Sequence, residues 1–167
     1  MVGKNPVYHS CVILVQDIEK SKQFYNIILS QKIVNDFGRN VVFEGGFSIW
    51  QRDYALNLIF QGKLDKIAVG GNNFEIYFET EDLENLYDQL VNEKVVVIHS
   101  VIEHSWGQRG FRVRDPDGYI VEFSESMENV VRRLKMNGLS LEEVAKKSMM
   151  PIEFIDMALK KQKKGLE

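Results

Sequence analysis

The sequence predicts an α+β fold in which two βαβββ modules, about residues 7–52 and 73–126, form a cupped mixed sheet, with a C-terminal helical appendage over 127–167. Three observations carry this expectation. A strand-then-helix pattern is written twice; strand-like runs divided by turn residues follow each helix; beyond Ser126 only helical spacing remains. A chain of 167 residues can bury one sizeable core and carry an appendage. Its 44% hydrophobic and 27% charged residues are ordinary globular values and exclude a largely disordered chain.

The first module opens with an apolar, β-branched run from Tyr8 to Val15, after which Ile18, Phe24, Tyr25 and Ile28 recur at helical spacing. Asp17 stands at the joint, where a helix N-cap accepts backbone N–H bonds. Strands are expected at Lys32 to Phe37, Val41 to Glu44 and Phe47 to Arg52, punctuated by Gly38-Arg39-Asn40 and Gly45-Gly46. The mixed stretch from Asp53 to Asn72 reads as the connection, with room for a short helix. Phe74 to Thr80 then repeats the opening strand, and Glu81-Asp82-Leu83-Glu84 matches Gln16-Asp17-Ile18-Glu19, with Asp82 65 residues after Asp17. Leu83, Leu86, Tyr87 and Leu90 form a single apolar helical stripe. Strand pieces follow at Val95 to Ile98, near Ile102, at Phe111 to Arg114 and at Tyr119 to Ser124, with Asp115-Pro116-Asp117-Gly118 as a reverse turn. In the appendage, Met127 to Met136 is a helix stopped by Asn137-Gly138, Ser140-Leu141-Glu142-Glu143 is a capping box, and Pro151 opens a third helix to about Lys160. The lysine-rich tail after it reads as solvated and frayed.

Strand parity places the side chains. Phe74, Ile76 and Phe78 alternate with Glu75, Tyr77 and Glu79; Tyr119, Val121 and Phe123 alternate with Ile120, Glu122 and Ser124. Glu75, Tyr77 and Glu122 therefore belong to the face turned away from the helices. Aligning the repeats sets Ser10 against Glu75 and Trp50 against Glu122, four positions expected to line one concavity.

The strand followed by Asp17-Ile18-Glu19-Lys20-Ser21-Lys22-Gln23-Phe24-Tyr25, and Asp115-Pro116-Asp117-Gly118-Tyr119-Ile120-Val121-Glu122-Phe123, resemble the signature segments of the vicinal oxygen chelate superfamily of glyoxalases, bleomycin-resistance proteins and extradiol dioxygenases. Trp106-Gly107-Gln108-Arg109 is similar to a variant common in glyoxalase-like members, and the match spans residues 7 to 126. The resemblance implies a cupped sheet and four metal-ligand positions, at Ser10, Trp50, Glu75 and Glu122. Only Glu75 and Glu122 are ligand types here. It also implies two functional readings: a glyoxalase-like lyase or isomerase, with Glu75 and Glu122 catalytic and holding a divalent ion such as Zn, Ni, Mn or Mg, or a metal-independent small-molecule binding or resistance protein. In either, Ser10, Trp50, Tyr77, Trp106 and Arg109 are the candidate substrate-binding residues. Without an ion, Glu122 would serve as general base, its pKa raised by burial.

Each candidate has a bland alternative. Glu75 and Glu122 would pair with Arg112 or Arg114, Trp50 and Trp106 would be core or contact aromatics, and Arg109 would pair with a surface carboxylate. His9 falls on the opposite strand face from Ser10, His99 and His104 read as solvated loop residues, and Cys11 shares the core parity of Ile13 and Val15. A net charge of -3 argues against nucleic acid, and Glu153 and Asp156 argue against reading the last two helices as a DNA-binding pair. The sequence carries no apolar run of the roughly 20 residues a membrane span needs and no secretory pattern, so a cytoplasmic protein is expected. Its open sheet edges point to a homodimer.

Overall fold

The computed structural model describes residues 5–64 and 66–164, the side chains of 161–164 excepted, and divides into two compact units. The first unit contains residues up to Phe74 together with Asp115–Tyr119; the second contains Glu75–Arg114 and the chain from Ile120 onward. Each holds one four-stranded mixed sheet, as the doubled βαβββ pattern requires.

In the first unit, β1 (Cys11–Val15), β2 (Ile33–Asp36), β3 (Asn40–Phe43) and β4 (Phe47–Gln51) lie in the order β1-β4-β3-β2. Strand β1 pairs parallel with β4, and the other pairs are antiparallel. The short α1 (Ile18–Lys22) is capped by Asp17, whose carboxylate accepts the N–H groups of Glu19 and Lys20 at 3.1 Å. It widens into a π-helical segment over Gln23–Ile28, where the Leu29 N–H reaches the Phe24 carbonyl. Phe24 and Tyr25 are both buried there; Phe24 meets Tyr25 edge to face, and Tyr25 packs with the stacked Phe43 and Phe47. The buried Tyr25 hydroxyl donates to Asp115 at 2.8 Å. Cys11 is half-buried at the start of the core-facing row. The connection after β4 is a helix, α2 (Arg52–Phe60).

In the second unit, β5 (Glu75–Glu79), β6 (Val96–Glu103), β7 (Arg109–Arg114) and β8 (Ile120–Ser124) lie in the order β5-β8-β7-β6. The pieces expected at Val95 to Ile98 and near Ile102 are one strand, β6. Its pairing with β7 shifts register at Val97/His99 and again at His99/Ile102, which erases the simple alternation that would reveal it in sequence. The apolar stripe of α3 (Leu83–Asn92) buries Leu83 and Leu90, and Tyr87 meets Phe111 edge to face.

Helices α4 (Met127–Met136), α5 (Leu141–Ser148) and α6 (Ile152–Lys164) group with this second sheet. Val130, Val131, Leu134, Val144, Ile155 and Ala158 form their shared core. Ser140 and Glu143 make the expected capping box, and the N-cap of α4 is Ser126. Gly107 lies under these helices with φ +84, and a Cβ there would stand 3.2 Å from Lys147 and 3.4 Å from Leu134.

Glu125, 6% exposed, ties α4 to the sheet. It accepts from Arg109 Nε at 2.9 Å and Nη2 at 2.7 Å, and from Arg133 Nε at 3.0 Å and Nη2 at 2.8 Å. Burial pushes the Glu125 carboxyl up, but the two guanidinium groups outweigh it and hold its pKa below the ordinary 4.5. Because the folded value lies below the unfolded one, the stabilisation is complete above pH 4.5 and fades as the pH falls through the folded value. Glu125→Gln is expected to cost roughly 2 kcal/mol in urea unfolding at pH 7, less than a fully buried pair because both arginines are partly solvated. The gap between variant and parent should narrow as the pH is taken below 4.5.

Candidate functional site

The side of the second sheet opposite α3 carries a polar row made by register. Tyr77 on β5 pairs with Glu122 on β8, Glu122 with Arg112 on β7, and Arg112 with His99 on β6. Cross-strand partners share a face, so four polar side chains cross the sheet side by side. Glu75 stands on the same face two residues before Tyr77.

Arg112 is the centre of this row. Its Nε donates to Glu75 at 2.6 Å, its Nη2 donates to Glu122, and its Nη1 meets His99 Nε2 at 3.3 Å. An arginine only donates, and His99 Nδ1 faces the Ser100 carbonyl at 2.8 Å, so His99 carries its proton on Nδ1 and accepts at Nε2. Ser124 Oγ donates to the second oxygen of Glu122 at 2.7 Å. Gly110 makes room for that serine, since a Cβ at 110 would collide with Ser124 Oγ.

The two acids differ in environment. Glu122 is 5% exposed, and burial, with the neighbouring Glu75 charge, raises its pKa above 4.5 against the pull of Ser124 and Arg112. Burial also pushes Glu75 up, but its hydrogen bond from Arg112 prevails and lowers it. The pair therefore keeps a proton preferentially on Glu122. Tyr77 is pushed up to about 12 by burial and by the charge of Glu79.

Gln108, part of the Trp106-Gly107-Gln108-Arg109 segment but not among the candidate site residues, forms a second polar group beside the row. Its side-chain amide donates to Tyr77 Oη at 2.9 Å and to the Glu125 carbonyl at 2.7 Å, and its Oε1 accepts from Trp106 Nε1 at 3.0 Å. His104 stacks on Trp106 with ring centroids 4.4 Å apart; it is half-buried, where the sequence suggests a solvated loop residue, and its Nε2 has no partner among the described residues.

Of the sequence candidates, Glu75, Glu122, Tyr77 and Trp106 thus all fall in the second unit, in two hydrogen-bonded groups: Glu75 and Glu122 on Arg112, Tyr77 and Trp106 on Gln108. Arg109 joins neither: it points to the other sheet face, where it is held by Glu125 and by Glu84 at 2.6 Å, as a structural ion-pair residue. Ser10 and Trp50 belong to the first unit. Ser10 is half-buried just before β1, and Trp50 pairs with Leu14 and Asn40.

A resident divalent ion does not fit this donor set. Both carboxylates that the resemblance offers as ligands are already engaged by one guanidinium, and Ser10 and Trp50 supply no imidazole or carboxylate. Among the described residues, no group of three or more His, Cys, Asp or Glu is placed to hold a metal ion. Nor is any described helix long and apolar enough to cross a membrane.

The glyoxalase-like domain family matches residues 8–128. A protein of unknown function from Agrobacterium tumefaciens is 34% identical, with a TM-score of 0.68, over 75% of this chain and 98% of its own. A glyoxalase/bleomycin resistance protein/dioxygenase from Nocardioides shares 16% identity over 74% of this chain and 86% of its own, with a TM-score of 0.58. A glyoxalase-related enzyme from Fulvimarina pelagi shares 17% over 70% and 86%, with a TM-score of 0.60. No curated protein matches the chain. With the doubled βαβββ fold in place and more than half of its length matched, the chain belongs to the glyoxalase-like domain family of the vicinal oxygen chelate superfamily.

Proposed function

We propose that the polar face of the second sheet binds a small polar molecule without a resident metal ion, as a metal-independent member of the family. The observation that carries this reading is Arg112, which engages Glu75 and Glu122 together. A fixed cation on the sheet replaces an exchangeable one, and the partly exposed Glu75 and Tyr77 are left to meet a ligand. A screen of small polar and aromatic compounds by thermal shift tests it. Compounds that stabilise the parent should lose at least about tenfold in affinity in Tyr77→Phe and Glu122→Gln, each shown by circular dichroism to be folded, because each removes a polar group from the face that the ligand would meet. Compounds bound equally well by both variants would place the ligand elsewhere.

The same reading fixes the sign of a metal experiment. Among the described residues no three His, Cys, Asp or Glu are placed to share an ion, so zinc titration by calorimetry is expected to show no stoichiometric site in the parent. Stoichiometric zinc in the parent would overturn the metal-independent reading.

A second reading, proton transfer of lyase or isomerase type, is favoured by one observation: Glu122 holds its proton above the ordinary 4.5 while Glu75 beside it is lowered. If a bound compound is turned over, Glu122→Gln should lower kcat by roughly 10²–10⁴-fold, and the parent's rate should rise with pH through an inflection above 4.5. An unchanged pH profile in Glu122→Gln would assign the proton to another group.

A further inference from the structure

We infer that the first unit carries a groove of its own that takes a planar aromatic carboxylate, with Arg39 as the anion anchor. The groove, about 470 Å³, is lined by Phe37, Gly38, Arg39, Asn40, Trp50 and Tyr54, all within that unit. Its walls are aromatic: Trp50 and Tyr54 meet edge to face at 6.3 Å, and Phe37 is 70% exposed at the rim.

Two of its polar groups, the Arg39 guanidinium and Trp50 Nε1, are donors without an acceptor among the described residues. The Arg39 guanidinium lies over the Tyr54 ring at 5.2 Å and has no carboxylate within ion-pair reach among the described residues, whereas Arg52, Arg109, Arg112, Arg132 and Arg133 each have one. The acids nearest in sequence are committed elsewhere. Asp36 pairs with Lys22 at 2.9 Å and accepts the Gly38 N–H at 2.8 Å; Asp53 accepts from Arg52 at 2.9 Å. Trp50 Nε1 is buried with no acceptor among the described residues, a state that costs free energy until one arrives.

The hairpin that presents Arg39 is fixed in advance. Phe37 N–H bonds the Asn40 carbonyl at 2.8 Å, and Gln51 N–H bonds the Arg39 carbonyl at 2.8 Å, tying the turn to the end of β4. A cationic fork beside aromatic walls selects a flat π-system bearing a planar anion, since guanidinium and carboxylate match in two parallel hydrogen bonds. A neutral or cationic ligand would leave the fork unsatisfied.

The test uses the full chain and its two tryptophans as reporters. In ¹H–¹⁵N correlation spectra the indole peak lost in Trp50→Phe is that of Trp50, and the other is that of Trp106. Titration with 2-naphthoate should shift the Trp50 peak saturably, with 2-naphthamide at least about tenfold weaker, and Arg39→Gln should lower naphthoate affinity by a similar factor. Arg39 is exposed, so that variant keeps the parent's spectral dispersion. An unmoved Trp50 peak, equal affinity for the amide, or unchanged affinity in Arg39→Gln each overturns the assignment. A shift confined to Trp106 overturns it too, while leaving the reading of the second sheet intact.

Discussion

One guanidinium organises the polar face of the second sheet. Arg112 lies on a strand whose neighbours bring Glu122 and His99 into register with it, and Glu75 reaches it from β5. Burying Glu122 to 5% exposure is costly for an ionised carboxyl, and the nearby cation, Ser124 and a retained proton share that cost. Remove the cation and two acids confront each other on a half-dry surface. The chemistry open to this face follows from that constraint: the acids are set apart in proton affinity, and one cation holds them both.

Much of this was legible in the sequence because strands have a strict period of two. The alternation in Phe74 to Thr80 and Tyr119 to Ser124 assigns Glu75, Tyr77 and Glu122 to one face without any coordinates. The doubled Asp17 and Asp82 caps mark the two strand-helix joints, and both aspartates accept helix N–H groups as that pattern implies. The π-helical widening after Lys22 and the double bulge in β6 were hidden, since both shift register by local hydrogen bonding that leaves composition untouched.

Arg109 shows how parity and motif can diverge. Its place beside Trp106 suggests a ligand contact, yet it occupies an odd position on a strand whose even positions, Gly110 and Arg112, face the polar row. Its partner Glu125 comes one residue after the end of β8 and carries no local signature. Only tertiary pairing with Arg133, 24 residues beyond Arg109, reveals the buried cluster. The roles of Arg39 and Gln108 were hidden for a similar reason: one acquires meaning from acids being engaged elsewhere, the other from Tyr77 and Glu125, distant along the chain.

Gln108 uses both of its side-chain amide hydrogens and its side-chain oxygen. One amide hydrogen goes to a phenol on the polar side of the sheet, the other to the main chain beside the acid that props the terminal helices, and its oxygen steadies an indole. A single side chain thereby joins a residue of the polar face to the main chain just beyond β8. Glutamate, nearly identical in outline, offers no hydrogens when ionised, so an exchange of one atom would take a donor from Tyr77 Oη and from the Glu125 carbonyl at once.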